Sequence, residues 1–118
     1  MTKRLGADRE SPIAGSSVVV RVAHLEIDRA QLERFIAAVS EEIDEAIRVE
    51  PGVLAIYAVA ERENPARLRF FEIYASEAAY AAHRESPHFR KYLARTDSMI
   101  RSRELTEMVP IQLSAKSS

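Results

Sequence analysis

Apolar and polar positions follow two different periods along this chain, and the places where the period changes mark its elements. Val18 to Ile27 is rich in β-branched residues over a strand-sized span. Asp28, followed three positions later by Gln31, has the form of a capping box that opens a helix. From there Leu32, Phe35, Ile36, Val39, Ile43, Ala46 and Ile47 recur at steps of three and four, while Glu33, Arg34, Glu41, Glu42, Asp44 and Glu45 fill the other side. Pro51-Gly52 ends that helix. Val53 to Glu61 predicts a second strand, and a polar turn at Glu63-Asn64-Pro65 leads into a third, Arg67 to Ala75, close enough for an antiparallel hairpin. Ser76 is a good N-cap for a short helix reaching Arg84. Ser86-Pro87 repeats the signal for a further segment whose apolar face carries Phe89, Tyr92, Leu93, Thr96, Met99 and Ile100. Arg103 to Leu113 predicts the last strand, interrupted or ended near Pro110.

The order β-α-β-β-α-β is that of the split βαβ, or ferredoxin-like, α+β fold: a four-stranded antiparallel sheet with helices on one face. A sheet half covered by helices should alternate apolar and polar residues. The hairpin instead has Leu54, Ile56, Ala58 and Ala60 on one parity and Val53, Ala55, Tyr57 and Val59 on the other, and the third strand is apolar on both. The expected remedy is a homodimer packed sheet against sheet, the alternative being cover by the N-terminal arm. Residues 1–17 predict a flexible arm, 18–113 one domain, and 114–118 a polar tail.

Composition narrows the function. At 118 residues there is room for one core, and 17 Lys+Arg against 18 Asp+Glu leave no basic excess for nucleic acid. The absence of cysteine excludes disulfides and thiolate chemistry, and the scattered histidines have no zinc spacing, so no metal is expected. No stretch resembles a signal-peptide core or a membrane span, which makes a cytoplasmic location the expectation.

The stretch from Glu50 to Leu93 resembles the antibiotic biosynthesis monooxygenase family: Glu50-Pro51-Gly52-Val53, Phe70-Phe71-Glu72-Ile73-Tyr74, Ser76-Glu77-Ala78-Ala79-Tyr80, Ala82-His83 and Ser86-Pro87-His88-Phe89. With the flanking strand and helix the likeness covers about Val18 to Leu113. It implies a dimeric α+β barrel with a cavity between the helices and the sheet of each subunit, and oxidation of a small aromatic, quinol or enol by O2 without flavin or metal. Haem-degrading members carry an iron-ligating His near the position of Leu93 and an Asn near Ala23; leucine cannot ligate iron, so the haem branch is disfavoured.

Such a reaction needs a base, donors for a developing oxyanion and a dry cavity. His88, just after Pro87 at a helix start, is a candidate base kept neutral by the helix dipole, or else a solvent-facing residue. His83 should point toward the sheet, as a cavity base, a substrate anchor or a satisfied core histidine. Glu72 interrupts an apolar strand; it would orient His83 if it faced the cavity, or pair structurally with Arg21 or Arg69. Tyr74, Tyr57 and Tyr92 are candidate donors to a substrate oxygen, with Phe70 and Phe89 as apolar lining. His24 is set aside as dimer-facing, and Arg95, Arg101 and Arg103 as solvated ends. A non-redox isomerase or degrader of a small signalling carbonyl compound, and a non-catalytic ligand-binding dimer, remain alternatives.

Overall fold

The computed structural model describes residues 18–117; the predicted N-terminal arm, 1–17, lies outside them. The elements run β1 (Val19–Ile27), a 3-10 turn (Arg29–Gln31), α1 (Leu32–Val49), β2 (Val53–Ala60), β3 (Arg67–Tyr74), α2 (Glu77–Glu85), α3 (Pro87–Thr96), a second 3-10 turn (Asp97–Met99) and β4 (Ile100–Met108). Strand order is β2-β3-β1-β4 with every neighbour antiparallel, the expected ferredoxin-like arrangement. No described helix is long and apolar enough to cross a membrane.

Local chemistry explains the boundaries. Asp28 caps a 3-10 turn rather than α1 itself: its carboxylate accepts from the Ala30 amide at 3.1 Å and the Gln31 side chain at 3.0 Å. Ser76 and Ser86 cap α2 and α3 by accepting from Ala79 and Phe89, and Pro87 occupies the first turn of α3, where a missing N–H does no harm. The last strand begins three residues earlier than predicted, because Asp28 donates its amide to the Met99 carbonyl at 2.8 Å and Ile27 comes into register with Ile100. It also ends at Met108, ahead of Pro110, which has no N–H to give a ladder.

The buried stripe of α1 is Phe35, Ala38, Val39, Glu42 and Ala46. Ile36 and Ile47, placed on the apolar face by their spacing, are 45% and 48% exposed, and Glu42, assigned to the polar side, is 5% exposed. The stripe is rotated toward the small residues. Its core partners are Ala23, Leu25, Ile27, Leu68, Phe70, Tyr92 and Met99, with a second cluster of Val19, Ala46, Val53 and Tyr74.

On the sheet, Val19, Arg21, Ala23 and Leu25 pair with Tyr74, Glu72, Phe70 and Leu68 on the helix-covered face. Val20, Val22, His24 and Glu26 pair with Ile73, Phe71, Arg69 and Arg67 on the other. On β2 the register shifts between Val53 and Ala55, so Val53 faces the helices while Ala55 and Tyr57 stand opposite Ile73 and Phe71 on the outer face. That outer face leaves Tyr57, Val59 and Phe71 exposed.

The turn into β2 is packed tightly against α2. A Cβ placed on Gly52 would stand 2.5 Å from the Ala79 Cβ, while the Gly52 carbonyl accepts from Ala75 at 2.8 Å and so holds the turn in place. Gly52→Ala should therefore cost about 1–3 kcal/mol of unfolding free energy through overpacking. Adding Ala79→Gly should recover part of that loss, read as a favourable coupling energy in urea unfolding of the four-member cycle; strict additivity would show that the contact is not what matters at Gly52.

Candidate active site

A cavity of about 90 Å³ lies between the helix layer and the sheet, walled by apolar groups such as Val39, Ile56, Phe70 and Phe89. Glu42, Glu72, Tyr74, His83 and Tyr92 give it its polar lining. Leu93, Arg103 and Leu105 also line it; all three are exposed, and they form its mouth. A separate groove of about 680 Å³ runs along the outside of the helix layer and is lined by Glu42, Glu50, His88 and Tyr92, among others. Glu42 and Tyr92 belong to both spaces.

His83 is 3% exposed, and its two ring nitrogens meet two different carboxylates. Nδ1 lies 2.8 Å from Glu50 Oε2, and Nε2 lies 3.3 Å from Glu42 Oε2. The same Glu50 oxygen is 2.5 Å from His88 Nε2. Glu50 is the residue at which α1 leaves its helical conformation, so one carboxylate joins the end of α1 to α2 and to α3. Among the described residues Glu42 Oε2 has no hydrogen-bond partner despite its burial, an arrangement that disfavours the ionised acid.

Burial raises the carboxyl of Glu42 from 4.5 to about 7, and the charges of Glu72 and Glu50 push the same way. Glu72 is also raised by burial, against the opposing effects of the Tyr74 hydrogen bond, His83 and Arg21. Tyr74 donates its hydroxyl to Glu72 Oε1 at 2.7 Å, and burial together with that carboxylate drives its pKa well above the usual phenol range. Tyr92 is pushed up to about 12, first by burial and then by Glu42. Arg21 places its guanidinium 4.2 Å over the Tyr80 ring, directly across the ladder from Glu72, and supplies the nearby positive charge.

The structure thus brings His83, Glu72, Tyr74, Phe70, Tyr92 and Phe89 to one cavity. His88 is placed differently: it lines the outer groove and reaches the site only through Glu50. Tyr57 is corrected outright, since the register shift on β2 turns it to the outer face, where it is 59% exposed. Glu72 takes the Tyr74 hydroxyl, and the partner of His83 Nδ1 is Glu50. Neither Glu42 nor Glu50 was assigned a role from the sequence. The signal for Glu42 was present, because it lies four residues after Ala38 and four before Ala46 on one helical stripe. Of the arginines, Arg95 bonds Glu41 and Arg101 lies 3.5 Å from Asp28, as solvated ends should, whereas Arg103 reaches the cavity mouth.

The family model described as antibiotic biosynthesis monooxygenase matches residues 18–95. Among solved structures, a candidate antibiotic biosynthesis monooxygenase from Bacteriodes thetaiotaomicron is 42% identical, covering 86% of this chain and 97% of its own, with a TM-score of 0.82. A candidate monooxygenase from Lactobacillus acidophilus is 32% identical over 80% of this chain, which spans 45% of that longer protein, with a TM-score of 0.77. A third, from Nitrosomonas europaea, has 20% identity, coverage of 81% and 92%, and a TM-score of 0.76, a likeness of fold alone. No curated protein matches the sequence.

The raised Glu42 carboxyl gives a pH signature in chelator-treated protein. Its protonated form is favoured by folding, so its contribution to stability is complete below pH 4.5 and is lost as pH rises through about 7. At 1.36 kcal/mol per unit the loss amounts to roughly 3 kcal/mol. Glu42→Gln should therefore match the parent protein in acid and exceed it by about that amount at pH 8, measured by urea unfolding across the range. A difference that does not change with pH would mean that Glu42 ionises freely.

Proposed function

The chain belongs to the antibiotic biosynthesis monooxygenase family, and we propose that it oxidises a small aromatic, quinol or enol substrate with O2, using no bound redox cofactor. One observation carries the reading: a largely apolar cavity presents a buried imidazole whose far nitrogen is held by a carboxylate. In the tautomer whose Nδ1–H donates to Glu50, Nε2 is left as the lone pair that can take a proton, the division of base and orienter seen wherever an imidazole must be aimed.

His83 Nε2 removes a proton from the substrate, and the resulting anion passes an electron to O2. Recombination of the radical pair forms a carbon–oxygen bond; the peroxide takes back the proton held by His83, and loss of the remaining hydrogen on that carbon as the O–O bond breaks leaves one oxygen on the substrate as a carbonyl and releases the other as water. Glu72 and Tyr74, locked to each other, form a polar end of the cavity against which a substrate oxygen can rest. Val39, Ile56, Phe70 and Phe89 keep bulk water from the anion. At about 90 Å³ the space is smaller than the 150 Å³ or so that accepts benzene in an engineered core. A ring substrate would therefore have to widen this space or extend through the mouth at Leu93, Arg103 and Leu105.

The reading includes a homodimer through the outer sheet face. Tyr57, Val59 and Phe71 are 59%, 61% and 37% exposed there, with Val22 beside Phe71 on β1 and Ile73 in the next row of β3, an apolar surface that water alone covers poorly. Sedimentation should give twice the 13.3 kDa chain mass, and Phe71→Glu should return a monomer; a monomeric parent protein excludes the dimer.

Oxygen-electrode assays with monocyclic quinols, and anthrones for comparison, test the chemistry. His83→Ala should lower kcat by about 10²–10⁴-fold, with circular dichroism unchanged. Substrate turnover with no oxygen uptake would instead favour a non-redox proton shuttle using the same groups. No turnover with any substrate would leave a ligand-binding dimer.

A further inference from the structure

Glu42, His83 and His88 come from three different helices, α1, α2 and α3, and each offers one ligand atom within 4.8 Å of the other two. We propose that this cluster binds a borderline divalent transition cation of the Zn2+ class, with Glu42, His83 and His88 as ligands and Glu50 as the group that orients the His83 ring.

Three features of the site support this beyond proximity. Glu42 Oε2 is buried, aimed at His83 Nε2 across 3.3 Å, and without a hydrogen bond. When His83 donates its Nδ1–H to Glu50 in a hydrogen bond, the two atoms facing each other are both lone-pair donors, an arrangement that repels until a cation or a proton comes between them. Zinc takes His nitrogen and carboxylate oxygen at about 2.0–2.2 Å, so ligand atoms around one ion stand up to about 4 Å apart and the cluster closes with small side-chain shifts. Second, the bond from His83 Nδ1 to Glu50 is the carboxylate–histidine pair that fixes tautomer and ring direction behind a metal ligand. Third, Glu42 and His88 line the open groove, which gives an ion a route in from solvent without passing the substrate cavity.

The donor set selects the ion. Two imidazoles with one carboxylate suit zinc and its neighbours, whereas calcium and magnesium require mostly oxygen ligands. The sequence spacing hid the site, because the two histidines are five residues apart across a helix break and the third ligand is contributed by a distant helix. This inference does not rest on the oxidation reading. The His83 nitrogen that a cation would hold is the one a base needs, so the cation-loaded protein and the turnover-competent protein are distinct states.

The test is calorimetric titration of Zn2+ into the full chain after treatment with a chelator and its removal. One Zn2+ per chain is expected, with affinity falling as pH is lowered because the ligands must be deprotonated. Ca2+ and Mg2+ should give no comparable binding. Glu42→Gln and His88→Ala should each weaken Zn2+ by about tenfold or more, and Co2+ should give visible d–d absorption in the parent protein that both variants lose. Circular dichroism confirms that each variant is folded, and Glu42→Gln also removes a buried charge and so is not expected to unfold. Absence of saturable Zn2+ binding in the parent chain, or unchanged affinity in either folded variant, would overturn the site.

Discussion

A single carboxylate oxygen, Glu50 Oε2, ties this structure together at the point where its chemistry sits. It meets His83 at 2.8 Å and His88 at 2.5 Å, and these contacts connect the end of α1 to α2 and to the first turn of α3. The surrounding site would be unfavourable without it. Glu42 and Glu72 both lie against the same cavity, where burial opposes their ionisation.

The aromatic groups complete that constraint from the sheet side. Tyr74 is 1% exposed, packs edge-on against Tyr80 with centroids 5.0 Å apart, and gives its hydroxyl to Glu72. Phe89 lies 4.9 Å from the His83 ring and 5.8 Å from Tyr92. The imidazole is therefore held in its plane by rings and in its orientation by carboxylates. A side chain fixed on both counts loses little entropy when it acts, which is how a rigid scaffold supports a precise site.

Much of the fold was legible because period and punctuation agree along most of the chain. Asp28, Pro51-Gly52, Ser76 and Ser86-Pro87 each change the backbone where the apolar period changes, so the order of elements followed from local chemistry. The site was legible only in part. Glu72 and Tyr74 share a parity on β3, which runs without a bulge from Leu68 to Tyr74, and helical spacing turned His83 toward the sheet. Tyr57 could not be placed by parity. A register shift between Val53 and Ala55 lets Val53 face the helices and turns Tyr57 away; without it, residues four apart on one strand would share a face. One residue of slip reverses every side chain that follows, and nothing in the amino-acid letters around Leu54 announces it.

Glu42 was missed for a different reason, which bears on how the site works. A glutamate in a helix with an acidic outer face is read as solvated, because burial of an unpaired carboxylate is costly. Here the stripe of Phe35, Ala38, Val39 and Ala46 draws Glu42 inward regardless, and the cost remains stored as a raised pKa and an unbonded oxygen. A fold that tolerates such a group without function would lose it readily to glutamine, which fits the same space and needs no charge. What keeps a carboxylate useful there is a partner that exchanges: a proton moving to and from His83 Nε2, or a cation held between the two. The two proposed uses would exclude each other at that nitrogen, because one lone pair cannot serve a proton and a cation at once.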